Sequence, residues 1–372
     1  MKTAKLAILV FFALFAGCSS NTTSSNSSPA PSSSIRTYNG TASVGDFLTI
    51  TINSSAGTIG YKNYTNGDSG TVPYTVNSDG TYTVADPNGN LLAAYEVPGS
   101  ALMVESAKSG PDHGTPALIT AVESAPASIT NFGGRNFNYI QFRTAAGGIE
   151  LGTVSVDAQG DIQHNAYWPF GLLTQPQSYF SGGTFPASSV LEDSSGDFFT
   201  IHENDGQEDV VFGTQGGLWA VDTENGAILG LPKAASKNFS ASSAGSYKAI
   251  YYEKQNAQMG QNNSESGTPL EDKATVTVTA GGAITITDSH NNALADGTLG
   301  AIADTSYMYD GTTNTLPDPC YGMFTFRTAT ANLQQDVFVS FQGNAVIFSS
   351  FQTALPAQNN NVYTYFYGVG AK

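Results

Sequence analysis

Apolar and polar residues alternate with a period of two through most of this 372-residue chain. Nothing after residue 36 follows the 3.6-residue period of an amphipathic helix. FLTITIN (47–53), GTVSVD (152–157), ATVTVTA (274–280) and DVFVSF (336–341) all alternate, are rich in β-branched or aromatic residues, and stop at Gly, Asn or Asp. Successive side chains of a strand face opposite sides, so such runs suit sheets with one buried face. About two dozen of them, separated by turn signals, predict an all-β fold of duplicated antiparallel β-meanders forming one or two β-barrel or β-sandwich domains.

The duplication shows in short internal matches. FRTA occurs at 142–145 and again at 326–329, each followed about ten residues later by a V-x-V pair and then a glycine turn (Val154/Val156 with Gly160, Val337/Val339 with Gly343). Val276/Val278 with Gly282 repeats that spacing. A second, ungapped match pairs 82-YTVADPNG-89 with 199-FTIHENDG-206 and continues to Glu105 and Asp222. The uneven spacing argues against a regular solenoid. It divides the body into a β domain at 37–235 and another at 236–372, joined near 232-PKAASKNFSASSAG-245. The alternative architecture comes from 216-GGLWAVDTENGAILG-230, which resembles a blade of quinoprotein-type propellers and implies an irregular propeller. A hairpin with an Asn-Gly turn accounts for the same residues.

The N-terminus carries a different signal. Lys2 and Lys5 precede the apolar run LAILVFFALFA (6–16), the layout of a secretory signal and too short to span a bilayer as a helix. With Gly17 and Cys18 closing it, the segment resembles the lipobox of bacterial lipoproteins, although Leu14 lies one position further from the cysteine than usual. The resemblance implies cleavage after residue 17, acylation of Cys18, and a protein whose membrane partner is reached through that lipid. Ser19 resembles the residue that directs such proteins to the outer membrane. Residues 18–36 then read as the lipidated cysteine and a disordered Ser/Thr/Asn tether.

Loss of the two leader lysines would move the net charge from −16 to −18. A surface of that sign lacks the Lys and Arg that nucleic-acid phosphates require, which excludes that class of partner. With Cys18 acylated, Cys320 has no disulfide partner and reads as a small buried thiol. The motif 67-GDSGT-71 resembles the nucleophile loop of chymotrypsin-like proteases. All four histidines (113, 164, 202, 290) follow Ser69, against that family's order, and a turn explains the motif.

Between Arg143 and Lys233 there is no Lys or Arg, while twelve acids occur. Crowded carboxylates need solvent, protons or a cation. The densest piece, 202-HENDGQED-209, offers Glu203, Asp205, Glu208 and Asp209 as oxygen ligands for Ca²⁺, the only cofactor the sequence suggests. The alternative is an exposed Asp-Gly turn. A polysaccharide hydrolase would instead use two facing carboxylates, such as Glu203 and Asp222. The segment 166–188 gathers Tyr167, Trp168, Phe170, Tyr179, Phe180 and Phe185, rings able to stack on a sugar or line an apolar mouth.

Together these features predict a non-catalytic outer-membrane lipoprotein with a binding, adhesion or structural β body. A glycan or a small apolar molecule is the expected partner, and the oligomeric state is left open. The stretch YTVNSDGTYTV (74–84) is similar to calycin-type meanders, and that resemblance implies a carrier with an empty apolar barrel.

Overall fold

Among the described residues the period-two runs become 28 strands in a computed structural model. It describes residues 34–372 except 86–90, 98–99, 110–114, 144–147, 169–177, 204–205, 214–216, 224–225, 260–264, 303–304, 308–312, 316–317, 330–332 and 355–361. Cys18 and the leader lie outside the described residues. The first eight strands are β1 (Ile35–Ala42), β2 (Phe47–Asn53), β3 (Thr58–Asn63), β4 (Ser69–Val76), β5 (Tyr82–Ala85), β6 (Leu91–Val97), β7 (Ala101–Ser109) and β8 (Thr115–Glu123). Each pairs with the next, and β8 returns to β1 with Tyr38 opposite Glu123, so the sheet closes into a barrel. The strand read as FLTITIN is β2, and Ser69 opens β4 beside Lys62 just after a turn.

A four-residue helix, α1 (Ile129–Phe132), leads into a second meander. Its strands are β9 (Arg135–Arg143), β10 (Gly148–Val156), β11 (Ile162–Trp168), β12 (Ser178–Phe185), β13 (Val190–Glu192), β14 (Phe198–His202), β15 (Glu208–Gly213), β16 (Trp219–Thr223) and β17 (Gly226–Pro232). They form one nine-stranded sheet in the order β12-β11-β10-β9-β17-β16-β15-β14-β13. The propeller-like stretch is therefore the β16–β17 hairpin of this sheet and not a blade.

The third meander begins with β18 (Gly245–Met259), β19 (Glu265–Val278), β20 (Ala283–Asp288), β21 (Ala293–Thr298) and β22 (Gly300–Ala301). A separate ribbon of β23 (Thr305–Tyr307) and β24 (Thr313–Thr315) follows. The meander ends with β25 (Met323–Ala329), β26 (Leu333–Gln342), β27 (Ala345–Ala354) and β28 (Val362–Ala371). Its order, β21-β20-β19-β18-β28-β27-β26-β25-β22, repeats the second sheet. In all three meanders the first strand lies between the second and the last. Duplicated antiparallel meanders are thus the architecture, with three copies, and residues 233–244 connect the second to the third.

Residues 32–372 form one compact unit. Phe47 and Met103 of the barrel, Ile140 and Phe142 of the second sheet, and Ile347 and Tyr367 of the third share one buried cluster. Phe142 stacks on Tyr367 at 3.5 Å between ring centroids. Cys320 is buried in the same cluster, as a small apolar thiol would be, and burial pushes its pKa up to about 12. Where β19 faces the barrel, burial and the neighbouring Glu105 push the Glu271 carboxyl up to about 9.

The barrel interior holds a charged pair flanked by tyrosines. Arg36 donates to Glu96 through Nε at 2.5 Å and Nη2 at 2.7 Å, and the hydroxyls of Tyr38 and Tyr82 each donate to Glu96 at 2.5 Å. Burial alone would raise the Glu96 pKa, but these hydrogen bonds and the guanidinium hold it below the ordinary carboxylate value. Composition places Ile35 and Arg36 in the tether, yet both belong to β1, because the Arg36 head group has this partner inside.

Candidate functional site

Alternation along the second sheet points one residue in two toward its concave face, and these inward residues are graded. On β9 they run from Phe137 to Gln141, on β10 from Val156 and Val154 to Glu150, on β11 from Ile162 to His164. On β14 they run from Phe199 and Ile201 toward Glu203, on β15 from Val211 to Asp209, on β16 from Trp219 and Val221 to Thr223. Register matches the gradients across strands. Phe137 lies opposite Val154, Phe199 opposite Val211, and Gln141 lies between Glu150 on β10 and Ile228 on β17.

A cavity of about 300 Å³ remains within this face, apolar at one end and polar at the other. Ile129 and Phe132 of α1 close the apolar end, with Phe132 at 5.7 Å from Phe137 and 5.8 Å from Phe199 between centroids. The polar end carries Gln141, Glu150, His164, Glu203, Gln207, Asp209 and Thr223. Gln207 is exposed and Glu203 and Asp209 half-buried, so this end meets solvent, whereas Glu150 and Gln141 lie deeper.

Two groups define the walls. The Tyr139 hydroxyl donates to Glu150 Oε1 at 2.5 Å and lies 2.5 Å from His164 Nε2. Since the phenol has one proton, Nε2 must be the donor in the second contact. Nε2 is also 3.3 Å from Glu150 Oε1. Gly152 makes this possible, because a Cβ there would overlap the Tyr139 ring and the Asn165 carbonyl. At the apolar end the Trp219 indole lies over Gly230, whose missing side chain leaves it room, and packs edge-on to Phe137 at 5.4 Å. Trp219 is only 4 % exposed, and its Nε1 has no acceptor among the described residues. A buried donor left without a partner is costly, which makes this N–H notable in a cavity wall.

Of the residues singled out from sequence, Phe185, Glu203 and Asp209 meet at this cavity. Glu208 does not. It follows β15 alternation to the outer face, is 61 % exposed at its side chain, and pairs with His202 Nδ1 at 3.0 Å. The acidic hairpin thus splits its carboxylates between two faces. Asp205 and Phe170 lie outside the described residues, as do the side chains of Tyr167, Trp168, Tyr179 and Phe180. Among the described residues, no group of three or more His, Cys, Asp or Glu could hold a metal ion. Glu203 and Asp222 do not form a facing pair, because Asp222 points away from the cavity and accepts from Thr41 Oγ1 of β1 at 2.6 Å. Burial, reinforced by the charges of Asp46 and Asp209 and opposed by the Thr41 bond, holds Asp222 well above the ordinary range. Tyr139, Glu150, His164 and Trp219 carry no motif. Their one sequence signal is a place on the inward face of a strand.

No family model matches the chain, and no curated protein matches it. Among solved structures it is similar to two mutants of transferrin-binding protein B from Haemophilus parasuis Hp5, a vaccine antigen. Both share 10 % identity, with TM-scores of 0.28 and 0.27, over 92 % of this chain and 76 % and 77 % of theirs. It is also similar to isotype 1 transferrin-binding protein B from serogroup B Neisseria meningitidis, with a TM-score of 0.20 and 13 % identity over 88 % of this chain and 66 % of that one. Likenesses this distant fix neither a ligand nor a function.

Proposed function

We propose that the chain is a binding protein held at the outer membrane by acylated Cys18, and that its second meander takes a small, mainly apolar ligand into its interior. The cavity carries this reading. The first barrel closes around its own Arg36–Glu96 pair and tyrosines, while the second sheet leaves about 300 Å³ between aliphatic and aromatic side chains. That volume is at the lower end of ligand sites, which suits a molecule of one or two rings. Aliphatic walls favour such a ligand over a glycan, which needs open aromatic faces and many hydrogen-bonding groups. The carboxylates lie at one end, and the pair a hydrolase would have needed points to opposite faces.

Titration with the neutral fluorescent probe N-phenylnaphthylamine tests the reading. Saturable binding to the full mature protein, abolished by filling the cavity with Val154→Trp or Ile228→Trp, is the expected result. Equal binding to the filled variants, or none to the original, would refute it. The anchor is tested separately by the intact mass of protein extracted from its own membranes. Acyl chains on Cys18 are expected, and a bare N-terminus cleaved elsewhere would remove that part of the proposal.

A further inference from the structure

Trp219 stands at the apolar end of the cavity, and the fold accommodates it at a cost that an aliphatic side chain would avoid. Its register partners on both neighbouring strands are glycines, Gly213 on β15 and Gly230 on β17. A Cβ at Gly230 would meet indole Cε2 at 2.1 Å, so the ring needs that glycine. Glycine inside a strand weakens it, because it loses more backbone freedom on folding and has no side chain to pack. The indole N–H is also buried without an acceptor among the described residues, a second loss. A leucine at 219 would carry no such donor and would need less room over Gly230. Local choices that weaken a fold concentrate where the fold serves a function. What the ring adds is a wall. Its edge-on contact with Phe137 at 5.4 Å joins it to the layer that Phe132, 5.7 Å from Phe137, completes across the end of the cavity.

We propose that Trp219 sets the length of ligand the cavity accepts, its indole being the stop for the ligand's apolar end, and that Gly230 fixes the depth of that stop. The inference rests on the cavity being a binding site and adds the residue that gauges the ligand. Moving the stop in either direction changes which member of a homologous series fits. Trp219→Leu lowers the wall and deepens the cavity. Gly230→Ala puts a methyl group under the indole and pushes the ring off the sheet toward the interior, which makes the cavity shallower.

Displacement of N-phenylnaphthylamine from the full mature protein by straight-chain primary alcohols, from hexanol to dodecanol, tests it. Affinity should rise about fourfold with each methylene and stop rising at a limiting length. That limit should lie about two carbons further on in Trp219→Leu, where the smaller side chain frees space. In Gly230→Ala it should fall by about one carbon. Shifts of opposite sign are not what a general loss of stability produces. Phe348→Leu is the control, because Phe348 is buried and set against a glycine too, Gly368, but belongs to the core of the third meander. It should leave the limit unmoved. A limit unmoved in Trp219→Leu or Gly230→Ala, or moved as far in Phe348→Leu, overturns the length proposal and leaves the cavity standing. So does an affinity that climbs to dodecanol without a limit in the original protein. If no alcohol displaces the probe, the cavity reading fails and this inference with it.

Discussion

The first barrel and the second meander share one connectivity and differ in what they enclose. Strand β1 sits between β2 and β8 as β9 sits between β10 and β17, and both sheets aim alternate side chains inward. In the barrel those positions include Arg36, Tyr38, Tyr82 and Glu96, which satisfy one another at 2.5–2.7 Å and leave Glu96 four donors. In the second sheet the inward carboxylate, Glu150, accepts from the Tyr139 hydroxyl and lies 3.3 Å from His164 Nε2. The glycines differ in effect too. Gly152 and Gly230 leave room for the Tyr139 ring and the Trp219 indole to lie against the sheet, and Trp219 lines the cavity. The comparison teaches that strand order does not decide what such a meander encloses. The size, direction and pairing of a few inward residues set the contents: a mutually bonded cluster in the barrel, a lined cavity in the second sheet.

The comparison is broken most easily at its charged pair. Glu96→Gln leaves the Arg36 guanidinium buried without its counter-charge and should cost about 3–5 kcal/mol in urea unfolding. An equal loss in Tyr139→Phe, which removes only a neutral hydroxyl from the second sheet, would end the distinction. Because folding lowers the Glu96 pKa from 4.5, its contribution is present above about pH 4.5 and lost as the pH falls below it.

The second test separates burial from pairing. The Glu271 carboxyl is desolvated beside Glu105 and its pKa rises from 4.5 to about 9, so its folded form favours the proton. Stability from this group is full below pH 4.5 and declines as the pH climbs toward about 9. Glu271→Gln should flatten that decline and raise stability near pH 9 by on the order of 1–3 kcal/mol, read from unfolding midpoints across pH. A variant as pH-dependent as the original would show that burial without a cation is not the cause. A smaller effect is expected from Tyr139→Phe, about 1 kcal/mol by thermal unfolding, through the bonds to Glu150 and His164. The smallest is Glu203→Gln, within about 0.5 kcal/mol in stability because the residue is half-buried, although it lines the cavity. A large loss there would mean that the polar end supports the fold rather than a ligand.

Much of the fold is legible in the sequence because a sheet with one buried face writes its period into the chain. FLTITIN gives β2 without adjustment, and the V-x-V pairs at 154/156 and 276/278 fall on β10 and β19, the second strands of their meanders. The match of 82–89 with 199–206 aligns β5 and β14, each fourth from the end of its meander. The FRTA match misleads. It joins β9, a first strand, to β25, a fourth-from-last one, because four residues of ordinary strand composition recur without common descent of place. The third copy stays hidden because turn lengths drift while the pairing order does not. The cavity is barely legible. Glu203 and Asp209 stand out as acids, but which carboxylates share a face with Glu150 depends on register across several strands. The volume depends on where Trp219 and Tyr139 come to rest, which the alternation does not encode.

In each meander the chain enters and leaves on neighbouring strands, β1 beside β8, β9 beside β17 and β18 beside β28. A segment whose two ends lie together can be copied into a gene without displacing what comes before or after it. Growth by whole units is then open to this architecture. A spare copy, freed from the need to be the most stable part of the molecule, is where an interior could drift from one lining to another.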